Sequence, residues 1–178
     1  MKIKKTLCLL TLFILVGCTA REKIKIEEPL LEEYLIEDFE PEAEELKSAP
    51  DFELQDLNQK TYVLSDYRDK QAVALFFWTS WCPHCRRELR VLSQRYAEVS
   101  KEGLELLSIN VGEADYKVAN AVEKYNLTVS TLLDRDSYVS NSFGIFGIPT
   151  YILVNKGGKI VFQNSYFPQN NYKELISE

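Results

Sequence analysis

Two cysteines three residues apart, Cys82 and Cys85, sit in the stretch FFWTSWCPHCRRELRVL, between an apolar, aromatic run and a charged run with helical spacing. The pair could be a redox couple, half of a metal site, a haem anchor, or two small core residues. Haem attachment through Cys-x-x-Cys needs a histidine next, and Arg86 stands there. A structural zinc ion needs four ligands, whereas Cys82, Cys85 and His84 are at most three, crowded into one turn, so no metal is expected. Disulfide exchange fits better. A cysteine opening a helix meets unpaired backbone N–H groups and the positive end of the helix dipole, both of which favour thiolate, and a second cysteine one turn on lies within disulfide reach. Cys82 is then the nucleophile and Cys85 the resolving thiol, and the Cys82–Cys85 disulfide is itself the redox group, with no other cofactor expected. His84, the one histidine in the chain, lies between them; a positive charge there would favour the Cys82 thiolate and make the couple more oxidising.

Such a pair needs a strand to deliver it and a helix to cap it. Ala72 to Trp78 reads as a buried strand with few polar positions, and Glu88 to Val99 as a helix carrying Leu89, Leu92, Tyr96 and Val99 on one face, stopped by Gly103. LELLSINV (104–111) is a strand, Tyr116 to Tyr125 a helix, Thr131 to Leu133 a short strand, and Ser137 to Phe143 a helix stopped by Gly144. This β–α–β order implies parallel pairing with right-handed crossovers. TYILV (150–154) and KIVFQ (159–163) flank the turn sequence Asn155-Lys156-Gly157-Gly158 and read as an antiparallel hairpin; Asn171 to Ser177 closes as a helix. Upstream, FEL and TYVL form a short N-terminal hairpin. The fold class is α/β, a central mixed sheet flanked by helices.

The chain of 178 residues holds 46% hydrophobic residues and a net charge of −6, enough for one domain with a core and the wrong sign for a nucleic-acid partner. Lys2, Lys4 and Lys5 precede the apolar run Leu7 to Val16, the order of a secretory signal, too short to cross a bilayer, where roughly 20 apolar residues are needed. LVGC, Leu15 to Cys18, resembles the lipobox of bacterial lipoproteins, which implies cleavage after residue 17 and acylation of Cys18; a plain secretory signal cut near Ala20 is the alternative. Residues 18–47 are strongly acidic and read as an extended membrane tether, with a docked amphipathic helix as the alternative. Residues 48–178 form the domain, where acids and bases nearly balance. Removal of the signal and acylation of Cys18 leave Cys82 and Cys85 as the only thiols, in a compartment that permits disulfides.

FFWTSWCPHC together with GIPT (147–150), in this order of elements, resembles the thioredoxin fold, and within it the membrane-anchored TlpA/ResA-type thiol-disulfide oxidoreductases of bacteria. The resemblance spans roughly Ala49 to Ser165. It implies a cis Pro149 facing the cysteines, an Ile148 backbone that pairs with an extended substrate, and Thr150 and Trp81 beside them on the substrate surface. It also implies a proton-handling acid at Glu88, because the buried acid that thioredoxins carry six residues before the first cysteine is Phe76 here. Reduction of exported protein disulfides, including those of apocytochrome c, is the implied activity, with electrons from a membrane thiol protein and the enzyme acting as a monomer. Against this, Pro83-His84 resembles the dipeptide of the oxidising DsbA proteins. A thiol peroxidase would need Pro-x-x-x-Thr-x-x-Cys, and Thr79 fits while Leu75 replaces the proline. A lipoprotein that only binds a partner is the non-enzymatic alternative. Arg86 and Arg87 read as solvated, steering residues, and Trp78 as core.

Overall fold

The computed structural model describes residues 45–177; the expected signal segment, Cys18 and nearly all of the acidic tether lie outside the described residues. The strand β3 (Ala72–Trp78) is buried along its whole length, as its unbroken apolar sequence requires of a strand covered on both faces. It is the middle of a five-stranded sheet in the order β5-β4-β3-β6-β7. Here β4 is Leu104–Val111, β5 Ser130–Asp134, β6 Thr150–Val154 and β7 Ile160–Asn164. β3, β4 and β5 pair in parallel, whereas β6 runs antiparallel to β3 and to β7, so the sheet is mixed. The short strands β1 (Glu53–Gln55) and β2 (Thr61–Val63) form a separate antiparallel hairpin. A 3-10 turn, Leu64–Tyr67, follows β2 and has no counterpart in the sequence reading.

The connections explain the layers. α1 (Pro83–Lys101) joins β3 to β4, and α2 (Asp115–Tyr125) joins β4 to β5. Both crossovers step the same way along the sheet, so a right-handed connection places both helices on one face. Side chains alternate accordingly: Ala72, Ala74, Phe76 and Trp78 pack with Leu89 and Leu92 of α1, Val118 of α2 and Tyr172 of α4 (Tyr172–Ser177). Val73, Leu75 and Phe77 point the other way, onto Phe52 and Tyr62 of the hairpin region and Val139 and Phe143 around α3 (Tyr138–Ser142). Each face is thus one core, and β3 belongs to both.

α1 starts a turn and a half before the expected Glu88. The apolar spacing does continue backward, to the fully buried Cys85, but the first turn holds only polar or special residues and is fixed by its cap instead. The helix ends as read, with Gly103 just beyond it at φ +84°, a conformation that costs a residue with a Cβ. α3 is capped from a distance: the buried Asp134 carboxylate at the end of β5 accepts from Val139 N (3.1 Å) and Ser140 N (2.8 Å). At the start of the described residues the chain is tied to the β6–β7 hairpin: Lys47 O accepts from Ile160 N (2.8 Å) and Ala49 N donates to Gly158 O (2.9 Å).

Candidate redox site

Where β3 ends, the chain turns through Thr79 to Trp81 and enters α1 with Cys82 as its N-cap residue. Pro83 occupies the first helical position, where its missing N–H is no loss. The Cys82 sulfur takes the place that an N-cap oxygen usually fills, accepting from Cys85 N at 3.2 Å. Cys82 and Cys85 are joined as a disulfide with Cα atoms 5.3 Å apart; Cys82 is 5% exposed and Cys85 is fully buried. The helix end that the sulfur caps is the positive end of the α1 dipole, so negative charge on Cys82 in the reduced state is favoured there.

The expected site residues divide into two groups. Glu88, half-buried on α1, accepts a hydrogen bond from Tyr151 Oη at 2.8 Å. Tyr151 in β6 pairs in register with Phe76, and the two rings pack at 4.5 Å. The residue that replaces the thioredoxin acid therefore carries the tyrosine that holds Glu88. His84 is exposed, and its Nδ1 lies 2.7 Å from Arg87 Nη2. A guanidinium only donates, so Nδ1 accepts in this contact and the ring proton resides on Nε2. Trp81 is 68% exposed and Trp78 fully buried.

The Ile148–Pro149 peptide is cis. Thr150 pairs with Phe77, which puts Pro149 one step past the pairing, at the end of β3 from which the cysteine loop springs. Thr150 Oγ1 donates to Gly147 O at 2.7 Å, closing the turn around the proline. Ile148, Pro149 and Thr150 are all half-buried.

Sequence reasoning missed Glu113. Its carboxylate accepts from Ser80 N (2.5 Å), Ser80 Oγ (2.6 Å) and Asn110 Nδ2 (2.8 Å), tying the loop before Cys82 to the end of β4. The available signal was Asn110, a buried amide near the end of β4, three residues before an acid. Around the same loop, Trp78 Nε1, Thr79 Oγ1 and Asn110 Oδ1 are buried without a partner among the described residues.

With the sheet order and the cis-proline turn opposite a capping disulfide, the domain has the thioredoxin fold. It aligns with the thioredoxin domain of a thiol-disulfide oxidoreductase from Bacteroides vulgatus at a TM-score of 0.65 and 24% identity, covering 73% of this chain and 96% of that one. The AhpC/TSA family profile matches residues 46–163, and the chain belongs to that family. Among its relatives are the thiol-disulfide oxidoreductases ResA of Geobacillus thermodenitrificans, 40% identical over 113 residues, and of Bacillus subtilis, 35% identical over 113 residues. The match covers 64% of this chain in both cases and spans 64% and 63% of those relatives.

Several phenols hold their protons unusually firmly. Burial first, then the neighbouring Glu88 carboxylate, pushes Tyr151 far above its ordinary value of 10.0. Burial and Glu105 push Tyr96 up to about 12, and burial and Glu102 push Tyr172 up to about 12. Such a phenol ionises more easily in the unfolded chain, so its contribution to stability is complete below about pH 10 and is lost as the pH rises toward the folded value. Folding stability should fall from about pH 10 upward, and Tyr151→Phe should make that fall shallower. Urea midpoints of both proteins between about pH 9 and 11 test this; equal slopes would contradict the role assigned to Tyr151.

Proposed function

We propose that this chain is an exported, lipid-anchored protein disulfide oxidoreductase that reduces disulfides of exported proteins through Cys82 and Cys85. The observation that carries the reading is the disulfide at the capped N-terminus of α1, set at the sheet end where the cis Ile148–Pro149 turn leads into β6. In the reduced enzyme the Cys82 thiolate attacks a substrate disulfide, forming a Cys82–substrate mixed disulfide and releasing the other substrate sulfur as thiolate. The Cys85 thiolate then attacks the Cys82 sulfur, the mixed disulfide breaks, and the second substrate thiolate leaves. Two electrons have passed to the substrate, whose thiolates take up two protons, and Cys82–Cys85 is again a disulfide. A membrane thiol protein returns the two electrons, and apocytochrome c is a substrate suited to the reading.

Cys85 must lose its proton in a buried place, and Glu88 is the acid on its helical face, three residues on. Its half-buried carboxylate, held by Tyr151, supports a role in taking up that proton. Ile148 to Thr150 offer the edge for an extended substrate, with Trp81 alongside.

The competing reading, an oxidase that forms disulfides, draws on Pro83-His84 and on the Arg87 guanidinium beside His84, whose positive charge would favour the reduced state. Equilibration of the couple with glutathione separates the two. A midpoint near about −270 mV is expected for a reductase, and one near about −120 mV would replace the reductase by the oxidase. Glu88→Gln should slow release of the mixed disulfide about a hundredfold at neutral pH, read from acid-quenched time points; unchanged release would remove Glu88 from the mechanism. For the anchor, Cys18→Ala expressed in a bacterial host should leave the membrane fraction for the soluble one, and continued membrane retention would refute acylation at Cys18.

A further inference from the structure

One face of α1 carries Pro83, Arg86, Arg87 and Arg90, at the i, i+3, i+4 and i+7 spacing that lines residues up along a helix. Opposite them stand Lys124 and Tyr125 at the end of α2, and the six enclose a shallow groove of about 390 Å³ whose lining begins at Pro83, the residue after Cys82. The Tyr125 ring is its centrepiece. Arg90, Lys124 and Arg86 lie 5.2, 5.5 and 5.9 Å from the ring centre, and Arg86 Nη1 also donates to Tyr125 Oη at 3.4 Å.

Four like charges in one groove repel one another, and among the described residues none of the four forms an ion pair; the pairs that exist lie on Arg95, Arg135, Lys159 and Lys173. Glu123, next in sequence, does not reach them, and Glu88 faces Tyr151 instead. Contacts to an aromatic face and to a histidine leave the guanidinium charges uncompensated. The groove therefore has the sign, and Tyr125 the rigid floor, for an anionic occupant.

We infer that this groove docks acidic residues flanking the exchanging cysteine of a partner polypeptide. The inference rests on the disulfide-exchange reading above, and it names which partners that site prefers. A polypeptide is the occupant because the groove begins at Pro83, the residue after Cys82, so a chain bonded to Cys82 lies next to it. The stripe from Pro83 to Arg90 is about 10 Å long at 1.5 Å per residue, the reach of about three extended residues. Carboxylates within about four residues of the partner cysteine meet the guanidinium forks, which bind carboxylates with two parallel hydrogen bonds.

The experiment uses the full chain, reduced beforehand with dithiothreitol, and three otherwise identical disulfide-bearing peptides whose cysteine is flanked by Asp and Glu, by Ser and Gln, or by Lys. At low salt the acidic peptide should be reduced about tenfold faster than the neutral one, and the Lys peptide more slowly, with the differences shrinking as salt rises. In Arg90→Gln/Lys124→Gln the acidic-to-neutral ratio should fall toward one, whereas Lys60→Gln, which removes a charge from the β1–β2 hairpin, should keep it. Equal rates for the three peptides, or a ratio that survives the double substitution, would overturn the groove. Reduction of none of them would instead overturn the exchange reading. The groove is then judged on its own: an acidic peptide with serine in place of cysteine should shift the Arg86, Arg87 and Arg90 Nε–H resonances, and no shift would overturn it.

Discussion

The arrangement depends on a sulfur doing the work of a helix cap. Because Cys82 accepts from Cys85 N, the first turn of α1 is closed by the same atom that would carry the reactive charge. The donor group and the dipole that stabilise a thiolate are thus parts of the helix end itself. That requires β3 to deliver the chain to one fixed point. Its burial on both faces, its pairing with β4 on one side and β6 on the other, and the Glu113 bridge across to the next strand end fix the point. None of these contacts touches the disulfide, yet each restricts where Cys82 can be.

The large features were legible in the sequence because they rest on local patterns. A continuous apolar run made β3, two glycines marked the ends of α1 and α3, and Asn-Lys-Gly-Gly marked the β6–β7 turn. Where the reading fell short, the cause was distance along the chain. The first turn of α1 offers only Cys85 to the apolar spacing and is held by a cap. Asp134 caps α3 from the strand before it, although Ser137 stands at the usual capping position, and Ser137 is held instead at φ +60°. Glu113 binds Ser80 from 33 positions away, a pairing that only the neighbouring ends of β3 and β4 create.

The replacement of an acid by Phe76 has a packing consequence that the sequence did not show. An apolar ring at that point lets Tyr151, its partner in register, pack against it at a tilt, and Phe167 adds an edge contact at 5.7 Å from Tyr151. The phenol then has one polar outlet, which is Glu88. A carboxylate on the helix accepts from that phenol, and the strand that would otherwise supply the acid supplies the surface against which its hydrogen-bond donor is packed. Exchanging a buried ionisable group for a half-buried one also avoids the cost of holding charge in the centre of the sheet, where desolvation would favour the neutral acid.

At 100° per residue, Glu88 and the pair Arg86 and Arg90 project from nearly opposite sides of α1. One side turns toward β6 and the core, the other toward α2 and solvent. In the proposed reading this separates two tasks that would interfere if they shared a face. A guanidinium bonded to Glu88 would displace the Tyr151 hydrogen bond, and a carboxylate in the groove would neutralise the charge that a partner is to meet. The ordering of polar residues along Arg86-Arg87-Glu88-Leu89-Arg90 thus follows from the helix period. Leu89 points into the core and sets the rotation of α1 on the sheet, and that rotation sends the acid and the bases their separate ways on either side of the same disulfide.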